Sequence, residues 1–315
     1  MTFSLQLPKA PKYLPFLGGK YTTAPGLRAL EKAETNYDRR VFQIDQTIKS
    51  YLENIRACRT ENIHKYYHEY QLNPELIKSV NAFIIQEICR DYPDLFQLET
   101  VGSEQIFHCK LTGEVLEINT KGNLKNSDIY LSLFDALMSR IPEDMAIVQL
   151  ESDRDFLSTV HVCAPSHWAP GEKIGKNFDS LHEPVPGMEK LRQNYRAMLQ
   201  SIVERGAFTR FGWSVATDNR LNHHPLAQNS YGNQLGSTID PQNPELFVRV
   251  ERQNLIGFPA HQAFIFTVRI YFYAVNDLEL AEKQALHAAL TSMSPESARY
   301  KGLTNKMEFL LDYLA

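Results

Sequence analysis

The chain has 315 residues, 43% of them hydrophobic and 22% charged, with a formal net charge of −4 at pH 7. That is the balance of a globular protein with enough apolar side chains for a large core. A small negative charge excludes a general nucleic-acid binder, which needs surplus Lys and Arg to displace counterions. No apolar run reaches the ~18 residues a membrane-spanning helix requires.

Residues 1–26 are rich in Pro and Gly and read as an extended arm, with Tyr13, Phe16 and Tyr21 offering apolar area to dock on the body. From residue 26 to about 59 the pattern is helical. Phe42, Ile44, Ile48, Tyr51, Leu52 and Ile55 recur at three- and four-residue steps along one stripe. Further helices are expected over residues 62–69 and 76–89, the latter with Asn73 as N-cap and Pro74 in the first turn. The first hundred residues thus read as mostly helical.

Near residue 101 the character changes. Residues 105–110 and 114–119 flank a Gly113 turn and read as a β-hairpin. Residues 128–140 read as helix, and 145–151 and 158–164 as short strands. Residues 188–205 carry Leu191, Tyr195, Met198, Leu199 and Ile202 on one face of a helix closed by Gly206. Strands are expected at 208–216, 246–253 and 263–274, and helices at 278–290 and 302–314. The polar stretch 218–245 is long for a loop. This segregation of helices and strands predicts an α+β fold with an antiparallel sheet carrying helices on one face. The expected division is residues 1–100 as arm and helical region, 101–277 as core and 278–315 as C-terminal helices, all in one compact unit.

The opening residues lack a charged n-region followed by an apolar stretch, so no secretory signal is expected. Cys58, Cys89, Cys109 and Cys163 have no C-x-x-C spacing and read as free thiols in a reducing compartment, the cytoplasm. There is no G-x-S-x-G, Walker A or G-x-G-x-x-G motif, so neither a nucleophile-elbow hydrolase nor a P-loop NTPase is supported.

The segment WAPGEKIGKNFDSLHEPVP, residues 168–186, places His182 at the end of a short helical reading closed by Pro184 and Pro186. An imidazole on a restricted backbone can ligate a metal or a haem iron. His161 and His167 are the competing ligands. His64 and His68, four apart in HKYYH, would share a helical face but lack the Glu of a zinc-protease motif, so an exposed helix face is expected. His223 and His224 are adjacent and would point to opposite sides of an extended chain. In FVRVERQ, Arg249 and Glu251 share one strand face while Val248, Val250 and Arg252 share the other, and Arg269 interrupts an apolar strand. Buried arginines are costly alone, so each is expected to meet a carboxylate, from the protein or from a bound anionic cofactor. Trp213 reads as core, with a place beside a planar cofactor as the other option.

Six motifs in order, GLRAL at 26–30, KIGKNFDSLHEPVP at 173–186, RFGWSV at 210–215, VRVERQNLIGFP at 248–259, FTVRIY at 266–271 and ARYKG at 298–302, resemble the DUF3445 family of haem-dependent oxidative N-demethylase-like proteins. Leu181-His182 stands where the family usually has Ile-His. The resemblance implies a PAS-like α+β core binding haem b. It also implies O2-dependent demethylation of a small amine, with electrons from a separate flavin/iron–sulfur reductase. His182 becomes the expected axial ligand, and Arg249, Arg252, Arg269 and Lys173 the expected holders of the propionates. Glu251 or Glu183 becomes the acceptor for the substrate ammonium, and Trp213 a neighbour of the reacting centre. The rival expectation is a PAS-like haem or small-molecule sensor without catalysis.

Overall fold

The computed structural model describes residues 6–125, 128–183, 185–187, 194–228 and 244–315. The aromatic residues of the Pro-rich arm are docked: Phe16 is fully buried, Tyr13 lies tilted against Phe211, and Tyr21 meets Trp213 edge-on. Strand β1 (Arg28–Ala29) and a chain of turns lead to helix α1 (Ile48–Asn62). The helical stripe expected from residue 26 therefore begins only at Ile48, because Phe42 and Ile44 reach the core from an irregular segment. The helix expected over 62–69 is instead a single 3-10 turn, Ile63–Lys65, followed by strand β2 (Tyr67–Glu69). His64 and His68 thus share no helical face; tertiary pairing of β2 with a neighbouring strand overrides local propensity.

Helix α2 (Pro74–Asp91) starts as its sequence dictates: the Asn73 side chain accepts the N–H groups of Glu75 and Leu76, and Pro74 occupies the first turn. Three strands follow, β3 (Phe96–Val101), β4 (Glu104–Cys109) and β5 (Glu114–Ile118), forming a small antiparallel sheet. The expected hairpin is β4–β5; β3 was not foreseen, and residue 100 falls inside it. Helix α3 (Leu133–Met138) is shorter than the 128–140 reading. Next come β6 (Asp144–Leu150), β7 (Asp155–His161), the five-residue α4 (Phe178–His182) and α5 (Tyr195–Arg205). Leu191 and the start of the helix expected at 188 lie outside the described residues. Strand β8 (Phe208–Ala216) leads to a long hairpin, β9 (Phe247–Phe258) and β10 (Ala263–Ala274). Helices α6 (Leu280–Thr291), α7 (Pro295–Tyr300) and α8 (Met307–Leu314) end the chain.

The large sheet has the order β1-β8-β9-β10-β6-β7-β2, antiparallel throughout. Its edge strands are only two and three residues long, which limits the unpaired backbone offered to other chains. One face carries Met145, Ile147, Ile256 and Ile265 against α2 and α3, and Trp213, Val248, Val250 and Tyr271 against the C-terminal helices and the arm. Helices were expected on that face alone. The opposite face is also covered: Leu255 and Phe264 pack on Leu199, Ile202 and Val203 of α5, with Phe178 of α4 against the same cluster. The reason is visible in the pleat, since both sets of alternating side chains on β9 and β10 contain apolar residues that must be buried. At Gly257 the fit is closest: a Cβ there would lie 2.2 Å from the Val203 carbonyl oxygen, so only glycine lets α5 sit on β9.

Candidate functional site

His182 ends α4, whose first turn is capped by the Asn177 side chain accepting the Ser180 N–H. The His182 ring stacks on Phe178 at 3.9 Å between centroids, and Phe178 stacks in turn on Tyr195 of α5. Its Nδ1 lies 2.8 Å from the Phe178 carbonyl oxygen. A carbonyl can only accept, so Nδ1 carries the proton and Nε2 keeps its lone pair. Burial is the main cause that lowers the His182 pKa; the Phe178 carbonyl opposes this, while Arg210 and Lys173 lower it further. The imidazole is therefore neutral at pH 7, the form that ligates a metal. Leu181 packs with Val160, Ala146, Val148, Trp168 and Ile174, which walls this part of the α5 face with apolar groups.

A cationic cluster lies on the same face of the sheet. In the β8–β9 register Arg210 opposes Gln253, Gly212 opposes Glu251 and Ser214 opposes Arg249. Arg249 donates to the Glu251 carboxylate and, at 3.0 Å, to the Ala164 carbonyl. Gln253 donates to the other Glu251 oxygen at 2.8 Å. Burial by itself would raise the Glu251 pKa, but Arg249 and Lys301, with the hydrogen bonds from Arg249 and Gln253, hold it below the ordinary range. Lys301, at the end of α7, is lowered chiefly by burial and further by Arg249 and Arg210, against the pull of Glu251. Burial also lowers Arg210, with Glu251 pulling the other way, and its Nε has no hydrogen-bond partner among the described residues. Three desolvated cations around one carboxylate form a setting that favours a further anion.

The remaining expected site residues are not brought to this face. Arg252 and Arg269 face each other across β9 and β10 on the α2 side of the sheet. Arg269 reaches Asp45 at 3.2 Å and Thr47 at 2.9 Å, and its guanidinium lies 3.6 Å above the Tyr51 ring. Among the described residues Arg252 meets no carboxylate; it donates to the main-chain carbonyls of Asp38, Arg40 and Val41. The expectation that each buried arginine meets a carboxylate is corrected here, because loop carbonyls also satisfy a guanidinium. Strand alternation thus separates Arg249 from the two arginines expected to act with it. Trp213 also points to the α2 side, against Phe16 and Tyr21. His161 is buried on that side, 3.1 Å from Asp135. Lys173 is half-buried beside the His182 segment, Glu183 is exposed after α4, and Pro184 lies outside the described residues. His167 adopts a left-handed φ of 62° next to His223, on the α5 side.

Arg210 and Lys301 were missed by sequence reasoning. Both stand in motifs already singled out, RFGWSV and ARYKG, but nothing in sequence spacing shows that the end of α7 meets β8 and β9. Among the described residues no three His, Cys, Asp or Glu side chains converge as a metal site, and no helix is long and apolar enough to cross a membrane. A family model described as haem-dependent oxidative N-demethylase, alpha subunit-like, matches residues 32–311. That span takes in α1 to α5, all strands but the short β1, and the C-terminal helices that deliver Lys301. The chain belongs to the haem-dependent oxidative N-demethylase alpha-subunit-like family.

Proposed function

We propose that this chain binds haem b on the α5 face, where His182 would hold the iron through Nε2, and that it oxidatively demethylates a small amine with O2. The observation that carries the reading is the His182 ring. Its proton is committed to the Phe178 carbonyl, its orientation is fixed by the Phe178 stack, and burial keeps it neutral.

The surrounding residues fit such a group. Arg210, with its unsatisfied buried Nε, and Lys301 are the cations best suited to two propionates, with Lys173 nearer His182. Trp168, Ile174, Phe178 and Leu181 supply an apolar wall that excludes water. Glu251 stays ionised, and each of its oxygens keeps a lone pair beyond the bonds from Arg249 and Gln253. Ringed by Arg249, Arg210 and Lys301, it disfavours a substrate ammonium, and its role is to orient Arg249 and Gln253. When bound, haem supplies the oxidation of the carbon next to the amine nitrogen, and the electrons come from a partner flavin/iron–sulfur reductase.

Taken in chain order, the five long strands of the large sheet run 2-1-5-4-3, with α4 and α5 between the second and third; this supports a PAS-like core. Four free cysteines, three of them buried, support a reducing, cytoplasmic setting.

Titration with hemin is expected to give a saturable Soret band that His182→Ala abolishes or shifts, and that Arg210→Gln with Lys301→Gln weakens about tenfold. Oxygen uptake with dimethylamine and an artificial reductant should require His182. A chain that takes up no hemin refutes the proposal.

A further inference from the structure

Helix α4 has five residues, too few to hold its own shape, so the position of His182 depends on what the segment is tied to. The chain before it is laced to β7. Gly175 N–H donates to the Leu157 carbonyl at 2.8 Å, and Leu157 N–H donates to the Lys176 carbonyl at 2.9 Å. Phe178, the first residue of α4, then lies beside Asp155, the first residue of β7, and its N–H donates to Asp155 Oδ2 at 2.6 Å. A carboxylate acceptor makes this one of the stronger kinds of hydrogen bond. Asp155 is only 2% exposed, which shields the bond from competing water.

Asp155 holds the second helix as well. Tyr195 opens α5, and its phenol pKa is raised first by burial, then by the charge of Asp155 and the hydrogen bond to it. One carboxylate therefore ties the first residues of both helices that bracket His182. Phe178 passes the constraint on in two ways. Its carbonyl accepts the Nδ1 proton at 2.8 Å, and its ring stacks on His182 at 3.9 Å and on Tyr195 at 5.4 Å. Capping of α4 does not require Asp155, because the Asn177 side chain already accepts the Ser180 N–H. The bond to the Phe178 N–H is separate, and it acts on the residue that orients the imidazole.

We infer that Asp155 is the positioning residue of His182: through the Phe178 backbone it sets which imidazole nitrogen keeps its lone pair and where that lone pair points. The inference deepens the reading of His182 as the haem ligand, since ligating histidines rely on such outer support. The geometry it sets exists without haem and is measured there.

The test compares Asp155→Ala with Asp155→Asn, whose amide oxygen can still accept the Phe178 N–H. Without hemin, nitrogen NMR of the full-length, histidine-labelled chain reads the His182 ring. The parent is expected to show a protonated Nδ1 and a bare Nε2. Asp155→Ala should shift toward a mixture of tautomers, and Asp155→Asn should keep the parent pattern. With hemin, Asp155→Ala should bind about tenfold more weakly than the parent, and Asp155→Asn within about threefold. His161→Gln, which disturbs a buried bond on the other sheet face, is the stability control and should leave both readouts unchanged. An unaltered His182 tautomer in folded Asp155→Ala overturns the inference. So does an altered one in Asp155→Asn or His161→Gln. Should Asp155→Ala not fold, amide exchange in the unmodified chain decides: a protected Phe178 N–H supports the inference, and one exchanging at the unprotected rate overturns it. A parent that takes up no hemin sinks the haem reading, while the tautomer comparison still judges Asp155.

Discussion

Gly257→Ala tests how tightly α5 is seated and whether that seating supports His182. The added methyl would meet the Val203 carbonyl oxygen at 2.2 Å, the Ile202 carbonyl oxygen at 2.6 Å and the Val203 carbonyl carbon at 2.8 Å. All three atoms are helix backbone, so no side-chain rotation relieves the clash, and the last turn of α5 must lift by about an ångström to restore ordinary contact. Leu199, Ile202 and Val203 would lose part of their contact with Leu255 and Phe264. Overpacking of this kind costs about 1–3 kcal/mol, and the rigid neighbours place Gly257 at the upper end. For a chain of this length, ~3 kcal/mol lowers the melting temperature by about 4–5 °C. The lift also moves Tyr195, which stacks on Phe178 beneath His182, so hemin affinity should fall together with stability. Differential scanning fluorimetry and hemin titration measure the two effects. A melting temperature within a degree of the parent, with unchanged hemin uptake, would refute the close α5–β9 contact.

Asp45→Asn removes the carboxylate that Arg269 meets in a fully buried pair, leaving an uncompensated charge; urea unfolding should show a loss of about 3–5 kcal/mol. His161→Gln should cost about 1–3 kcal/mol by disturbing the buried bond to Asp135, yet leave hemin binding intact, since His161 lies on the other face of the sheet. Glu143 is raised to about 7, chiefly by burial and against the pull of Arg269. Its folded-state pKa lies above the unfolded value, so its contribution is full below about 4.5 and is lost as pH rises through about 7. Glu143→Gln should therefore gain up to about 3 kcal/mol relative to the parent above pH 7 and nothing near pH 4. Asp144, also raised to about 7 mainly by burial, retains the same trend in the variant, so the pH profile of Glu143→Gln flattens in part.

Strands β8 and β10 were legible to the residue because β-branched and aromatic runs with clear ends admit one reading. The start of α2 was legible for a local reason, a cap and a proline at adjacent positions. The 62–69 segment was misread because its register with β7 is a long-range fact; β3 pairs locally with β4 across Gly102–Ser103, but all of it after Phe96 is exposed, so no buried alternation marks it as a strand. Within the site, the His182 segment was visible as a motif, whereas the grouping of three arginines was not correctable from spacing. Arg252 and Arg269 lie in separate strands, and only the β9–β10 register shows them facing one another and away from His182.

By itself the sequence determined the α+β class, strands β8 and β10, the docked arm and the family motifs, all of which follow from local periodicity or residue identity. Tertiary structure alone decided which charges share a face. Alternation fixes side within a strand, but strand order and register fix it between strands. That is why Arg210, Glu251 and Lys301 meet near His182 while Arg252, Arg269 and Trp213 stay on the other side of the sheet.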